Sequence, residues 1–156
     1  QDPDTLWVQF RDERGTEAAN MVFLSHKLAM PCSDAEVYGR DVPKGPHNAP
    51  PPTAYGLFPH YLRLTVNEKR IMTIEEAIRK STSLVAERMG ISGRGVLKEG
   101  LFADIVLFDR DSIRERGDFI EPAIPPVGID TVVVNGRIVY DKGDFAQETP
   151  GKVLRL

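Results

Sequence analysis

The segment from Thr73 to Gly90 constrains the fold most, because it has the pattern of a complete amphipathic helix. Thr73 and Glu76 have the spacing of a capping box, in which a threonine hydroxyl accepts a hydrogen bond from the backbone three residues later. Apolar residues then recur at helical spacing, and Gly90 supplies a stop. The pattern predicts one helix over Thr73–Met89 that must dock its apolar face on other parts of the chain. Its Lys and Arg side chains are predicted to form a solvated face.

The chain after Gly93 favours β structure. Residues 103–109 form a near-continuous apolar run, the pattern expected of a strand that is buried on both faces. Asn135-Gly136 separates two further apolar runs, and this dipeptide is the strongest short signal for a hairpin with a type I′ turn. Only about three good strands follow the helix, and we expect so small a sheet to need partners from elsewhere.

A proline-rich stretch runs from Val42 to Pro59, with prolines at positions 43, 46, 50, 51, 52 and 59. Each proline removes an amide donor and fixes φ, so the stretch predicts a long loop without helix or central strand. Such a loop in a compact protein is usually functional or disordered. A short helix over residues 58–66 is predicted to follow, with Pro59 in its first turn and with Leu62 and Val66 pointing inward.

Ser33-Asp34-Ala35 lies after the short apolar run 28–30, which is predicted to be a strand. Catalytic side chains of α/β barrels lie at the C-terminal ends of strands, and Asp34 is therefore the main candidate for a catalytic carboxylate. An aspartate after a strand is more often a turn residue or a helix cap, so both interpretations stay open. Cys32 is predicted to be a small buried thiol under the strand rather than a metal ligand.

Length, charge and cysteine content exclude several classes of function. The 156 residues are enough for one domain, and the net charge of −3 gives no electrostatic reason to expect nucleic acid or an anionic membrane surface. No apolar run approaches the roughly 20 residues that cross a bilayer. The single cysteine rules out an intrachain disulfide and makes the cytoplasm the expected compartment. We expect neither a nucleic-acid partner nor a membrane partner.

Several short motifs together resemble the amidohydrolase superfamily, and specifically its D-aminoacylase branch, the N-acyl-D-amino-acid deacylases. The resemblance covers nearly all of residues 21–156. The motifs that carry it are MPCSDA at 30–35, AYGLFP at 54–59, RKSTSL at 79–84, GVLKEG at 95–100, ADIVLFD at 103–109, VNG at 134–136 and PGKVLR at 150–155. The strand motif at 103–109 and the VNG motif resemble the superfamily at large, whereas the motifs at 54–59 and 150–155 resemble the deacylase branch.

The resemblance implies a fold of the α/β class: the C-terminal fragment of a metal-dependent (β/α)8 barrel plus part of a small β-sandwich domain. Residues 1–92 would hold the last barrel strand or strands, the active-site loop and the closing helices. Residues 93–156 would form the C-terminal part of the sandwich. The expected macromolecular partner is then the remainder of the barrel, or a second copy of the chain.

The resemblance also implies a chemistry. In the family, an aspartate at the end of the last barrel strand takes a proton from a metal-bound water and hands it to the leaving nitrogen, and Asp34 stands at that position. Zinc is implied for the complete enzyme, with an N-acyl amino acid as substrate. The chain's histidines, His26, His47 and His60, share no ligand spacing, and the family's metal-binding histidines come from earlier strands. We therefore expect no metal site and no activity in this chain alone.

Four further residues are weaker candidates for substrate binding. Ser33 adjoins the candidate aspartate, and His47 lies in the proline-rich loop, where an exposed histidine without a role is the commoner case. Tyr55 and Arg63 could meet a substrate carboxylate, whereas His60 is predicted to be a surface residue. Two alternatives stay open: a cyclic-amide hydrolase of the dihydroorotase or dihydropyrimidinase kind, and a non-catalytic assembly module that uses uncovered apolar faces.

Overall fold

The computed structural model describes residues 20–36 and 50–154, and the structural statements below concern these residues. His47 and most of the proline-rich loop lie outside them, as does Arg155 at the end of the last motif. The helical elements are α1 (residues 20–25), α2 (Thr53–Leu62), a π-helix (Arg63–Glu68), α3 (Ile74–Ser81) and α4 (Ser83–Arg88). The strands are β1 (Ile105–Phe108), β2 (Ile129–Val134), β3 (Arg137–Asp141) and β4 (Asp144–Phe145).

One small core joins the helices to the sheet region. Its buried members come from α2, the π-helix, α3 and the connection between β1 and β2, and they are Tyr61, Leu62, Val66, Ala77 and Ile113. Phe108 and Ile129, from the first two strands, pack against this core. The described residues thus combine helices with one antiparallel sheet, and the barrel and the sandwich stay predictions. None of their helices is long and apolar enough to span a bilayer.

Both predicted ends of the long helix are confirmed. The Thr73 hydroxyl accepts a hydrogen bond from the Glu76 backbone N–H at 3.3 Å, which satisfies one of the free amides of the first turn. At the other end, Gly90 has a φ of 69°, and the Ile91 N–H donates to the Ala86 carbonyl at 2.8 Å. This Schellman arrangement closes α4, because glycine enters the left-handed region without steric cost.

The prediction of one continuous helix is wrong, because the helix is interrupted at Thr82, between α3 and α4. Thr82 has φ −133° and ψ −87°, far from helical values. The Ser81 and Thr82 hydroxyls both donate to carbonyls four residues back, at 2.9 and 2.7 Å, and such bonds bend helices. The Gly95 backbone packs into the break: a Cβ there would lie 3.1 Å from Ser83 Cα.

The helix after the proline-rich stretch begins earlier than predicted. α2 starts at Thr53, so Pro59 lies inside the helix rather than in its first turn, and the predicted loop does not extend to residue 59. The chain has no proline between 52 and 59, and Pro52 itself has a φ of −54°, which leads directly into a helix. Leu62 and Val66 are buried as predicted.

The strands form one antiparallel sheet in the order β1-β2-β3-β4. The predicted hairpin is confirmed: Asn135 and Gly136 have φ values of 49° and 79°, as a type I′ turn requires, and Val134 pairs with Arg137. The prediction that residues 103–109 are buried on both faces is wrong. Val106 and Leu107 of β1 are 51% and 59% exposed. Successive strand residues point to opposite faces, so the described residues leave both faces of this edge strand uncovered there.

Asp104, from the motif at 103–109, and Asn135, from the motif at 134–136, have structural roles. The Asn135 N–H donates to Asp104 Oδ1 at 2.8 Å, and Asn135 Nδ2 donates to the Pro150 carbonyl at 2.7 Å. Arg94 pairs with the Asp104 carboxylate and donates to Asn135 Oδ1, while its guanidinium lies 4.3 Å from the Phe102 ring centroid. This network ties the start of the sheet, the hairpin turn and the segment at residue 150 together.

Residues 28–30 do not form the predicted strand. Residues 26–28 make a turn, and residues 29–36 have irregular backbone. A barrel strand obtains its hydrogen bonds from neighbouring parallel strands, and the described part of the chain has only the antiparallel sheet. The apolar run therefore lacks the partners that would make it a strand.

Candidate functional site

Asp34 lies in the irregular segment that follows α1, and its carboxylate is exposed. Its φ of 50° places the backbone in the left-handed region, which aspartate tolerates better than most residues. Ser33 beside it is half-buried. Unusual backbone conformations occur often at functional sites, so the conformation of Asp34 motivates a functional hypothesis.

A buried lysine holds the turn that precedes this segment. Lys80 of α3 is 1% exposed, and its Nζ donates to the carbonyls of Leu24 and His26 at 2.6 and 2.8 Å. Arg79 Nη2 adds a bond to the Lys27 carbonyl at 3.2 Å. The last carbonyls of a helix lack intrahelical donors, and α3 supplies these donors at the end of α1.

The predicted solvated face of α3 is therefore wrong at Lys80. Burial lowers the pKa of its ammonium, and the nearby Glu76 carboxylate opposes that effect. A signal for this role was visible in the sequence: Lys80 has helical spacing with Ala77 and Leu84, so it falls on the apolar face.

The turn is also closed by its own backbone. The Ala29 N–H donates to the His26 carbonyl at 3.0 Å, and the Leu28 N–H donates to His26 Nδ1 at 3.3 Å. Ala29 is 8% exposed and thus packs inside. Because the His26 carbonyl accepts from both Ala29 and Lys80, the start of the segment that carries Asp34 is fixed on α3.

Arg63 belongs to a second polar cluster. Its Nε donates to Glu115 Oε2 at 2.9 Å, and its guanidinium also pairs with Glu68. His60 Nδ1 lies 2.8 Å from Glu115 Oε1. The sequence offered no long-range signal for Glu115, which comes from the connection between β1 and β2.

The cluster favours the charged forms of Glu115 and Arg63. Partial burial would raise the pKa of Glu115, but hydrogen bonds from Arg63 and His60 outweigh it and lower the pKa to about 2. The hydrogen bond to Glu115 likewise raises the pKa of Arg63. Arg63 could bind a substrate carboxylate only by sharing or giving up these partners.

The predicted site residues therefore fall into two places. Ser33 and Asp34 lie on the segment anchored to α3, whereas Arg63 lies in the π-helix and Tyr55 is half-buried in α2. Their roles stay predictions, as does that of His47.

The described residues do not fit a catalytic metal centre. Such a centre usually takes about three protein ligands, and across residues 20–36 and 50–154 no three His, Cys, Asp or Glu side chains are grouped to hold an ion. Cys32 is exposed, so the prediction of a buried thiol is wrong. The thiol has no strand to pack under, because residues 29–36 are irregular.

Comparison with known proteins connects this architecture to one family. Residues 37–140 match the amidohydrolase family. The chain is 39% identical to N-acyl-D-aspartate deacylase of Alcaligenes xylosoxydans xylosoxydans over 135 residues, which are 86% of this chain and 25% of that protein. It is 36% identical to D-aminoacylase of the same organism over 110 residues, 70% of this chain and 23% of that protein.

A solved structure is similar over the same extent. N-acyl-D-glutamate deacylase from Bordetella bronchiseptica, complexed with zinc and a phosphonate inhibitor, matches with a TM-score of 0.77 and 36% identity. The match covers 90% of this chain and 28% of that one. The chain spans about a quarter of the length of the relatives that it matches. The resemblance read from the sequence is confirmed, and the chain belongs to the amidohydrolase family, with N-acyl-D-amino-acid deacylases among its relatives.

Proposed function

We propose that this chain is the C-terminal portion of a metal-dependent amidohydrolase that hydrolyses the amide C–N bond of N-acyl-D-amino acids. The observation that carries the proposal is the similarity to deacylases in both sequence and structure, with 39% identity over 86% of the chain and a TM-score of 0.77. A match to a deaminase of Pelotomaculum thermopropionicum is weaker, at 31% identity over 84 residues. The activity belongs to the complete enzyme, because the chain spans only about a quarter of its relatives.

Within that enzyme, residues 1–92 would belong to the barrel and residues 93–156 to the sandwich. The zinc ligands would come from residues outside the described ones, since these form no ligand group. The exposed edge strand β1 and the uncovered apolar side chains of the sheet are consistent with a chain that packs against further polypeptide.

We assign to Asp34 the proton transfers of the hydrolysis. Water adds to the acyl carbonyl carbon while the carboxylate takes its proton, and the same proton passes to the leaving nitrogen as the C–N bond breaks. A carboxylate suits this role because it can accept and return one proton within hydrogen-bonding distance. The exposure of Asp34, its left-handed backbone and its anchored segment support the assignment.

The substrate class is tested with the complete enzyme. We expect release of free amino acid from N-acetyl-D-aspartate, N-acetyl-D-glutamate or N-acetyl-D-leucine, and much slower release from the L-enantiomers. Ring opening of dihydroorotate without deacylation would instead support a cyclic-amide hydrolase. A folded complete protein that turns over neither class would favour the non-catalytic assembly module, and light scattering would then show self-association.

Asp34 is tested by the variant Asp34→Asn, which keeps the shape and removes the proton acceptor. We expect kcat to fall by roughly 10² to 10⁴, the usual contribution of general acid–base catalysis. Glu36→Gln is the matched control, because Glu36 is an exposed carboxylate on the same segment, and its kcat should stay within about twofold. An Asp34→Asn enzyme with unchanged kcat contradicts the assignment.

A further inference from the structure

We propose that Lys80 is a positioning residue for Asp34: its ammonium holds the turn after α1 and thereby sets where the Asp34 carboxylate lies in the complete enzyme. This inference rests on the proposed function of Asp34. Lys80 itself is buried in the described chain and is separated from the candidate carboxylate by the intervening turn.

The contacts of Lys80 are unusual for a helix cation. Its ammonium donates to two backbone carbonyls, that of Leu24 at the end of α1 and that of His26 in the following turn. A buried charge is costly unless hydrogen bonds compensate it, and an apolar side chain of similar length would fill the same space without that cost. A lysine here is therefore best explained by the two bonds that it makes.

The backbone between Lys80 and Asp34 explains how the effect reaches the carboxylate. The His26 carbonyl accepts from Lys80 Nζ at 2.8 Å and from the Ala29 N–H at 3.0 Å. Beyond Ala29 the segment is irregular, so no strand ladder within the described residues fixes its path. The position of Asp34 then depends on where the turn is held, and misplacing a catalytic group by about 1 Å can cost about 10²-fold in rate.

Arg79 provides an internal comparison. It bonds the Lys27 carbonyl of the same turn at 3.2 Å, but its side chain is 40% exposed and it is already engaged by Glu76. Its guanidinium therefore contributes less to holding the turn than the buried ammonium does.

The test uses the complete enzyme with Lys80→Met, which keeps the length of the side chain and removes the donors. We expect kcat to fall at least about tenfold while KM changes less than about twofold, because the turn positions a reacting group rather than the substrate. Lys80→Arg, which keeps charge and donors, should restore kcat to within about threefold. Arg79→Met is the matched control and should leave kcat within about twofold.

A double-mutant cycle with Asp34→Asn separates positioning from general weakening of the fold. If Lys80 acts through Asp34, adding Lys80→Met to Asp34→Asn should lower kcat by less than about twofold. A full additional loss in the double variant, or an unchanged kcat in Lys80→Met alone, overturns the inference. Should Lys80→Met fail to fold, Lys80→Gln replaces it, since glutamine retains hydrogen-bond donors without the charge. Its kcat should then fall by less than the roughly tenfold loss expected of Lys80→Met, and an unchanged kcat would overturn the inference.

The two proposals fail in different ways. An unchanged kcat in Asp34→Asn overturns the proton-transfer role of Asp34 and this inference with it. A reduced kcat in Asp34→Asn together with an additive effect of Lys80→Met overturns only the positioning role of Lys80.

Discussion

Arg63 Nε donates a hydrogen bond to Glu115 Oε2 at 2.9 Å, and this bond joins the π-helix to the connection between β1 and β2. Gly56 of α2 makes the approach possible, because a Cβ there would lie 2.9 Å from Glu115 Cβ. Two segments more than fifty residues apart are thereby held on the same core, and ionisation of Glu115 strengthens this contact.

Glu115→Gln is expected to destabilise the protein in a pH-dependent way. The pKa of Glu115 is lowered from 4.5 to about 2 on folding, so its stabilising effect is complete above about pH 4.5 and is lost as the pH falls toward 2. After allowance for solvent screening we expect a loss of about 1–2 kcal/mol at neutral pH. Thermal unfolding of wild type and variant should show a Tm gap that narrows below about pH 4.5. Glu121→Gln, on the same connection, should have the Tm of wild type. A Tm difference between wild type and Glu115→Gln that does not change with pH would contradict the prediction.

Gly95→Ala is expected to be more destabilising than Gly100→Ala. Both glycines have a φ of 85°, so alanine is strained at either position. At Gly95 the new Cβ would also lie 2.9 Å from Ala86 Cβ, whereas Gly100 has nothing within 4 Å. We expect the difference in the free energy of unfolding to be about 1–3 kcal/mol, measured by chemical denaturation. Equal losses of unfolding free energy in the two variants would contradict this prediction, because the break between α3 and α4 would then accommodate the added methyl group.

Asn135→Ala should lower the free energy of unfolding by about 1–3 kcal/mol. Alanine resists the φ of 49° and loses the bonds to Arg94 and to the Pro150 carbonyl. Asn135→Asp keeps the acceptor for Arg94 and the tolerance of left-handed backbone but loses the donor to the Pro150 carbonyl, so it should lose less stability than Asn135→Ala. Chemical denaturation of both variants decides, and an Asp variant as unstable as the Ala variant would disprove this account of the turn.

Thr73→Ala should destabilise α3 by about 1 kcal/mol, because it removes the hydroxyl that accepts from the Glu76 N–H. Thr73→Ser keeps that hydroxyl and should stay within about 0.5 kcal/mol of wild type. Thermal unfolding measures both. If the serine variant is as unstable as the alanine variant, the methyl group rather than the cap is what matters.

Short-range features were predictable from the sequence because the residues that decide them are neighbours. The cap at Thr73, the stop at Gly90 and the turn at Asn135-Gly136 each depend on a few adjacent residues and their allowed backbone conformations. The family was also recognisable, because its motifs are runs of adjacent residues that the match over residues 37–140 confirms.

The break at Thr82 and the early start of α2 differ from the prediction, because periodicity and proline content do not capture all the local contacts. Helical periodicity continues through Ser81 and Thr82, but the hydroxyls of these residues compete for backbone carbonyls, and Gly95 from a distant segment packs against the gap. The density of prolines likewise predicts a loop through residue 59, whereas the proline-free interval after Pro52 is long enough for α2 to begin.

Contacts between residues far apart in the sequence could not be predicted. Lys80 stood visibly on an apolar helix face, yet its acceptors on Leu24 and His26 lie more than fifty residues away and could be identified only once the chain was folded. A strand at 28–30 and a buried β1 would likewise need neighbours that the described residues do not supply. Local conformation follows from nearby covalent geometry, whereas a buried charge or a strand acquires its partner only through packing. For this reason Asp34 could be identified as a candidate from its motif, but the hydrogen bonds from Lys80 of α3 that hold its segment could not.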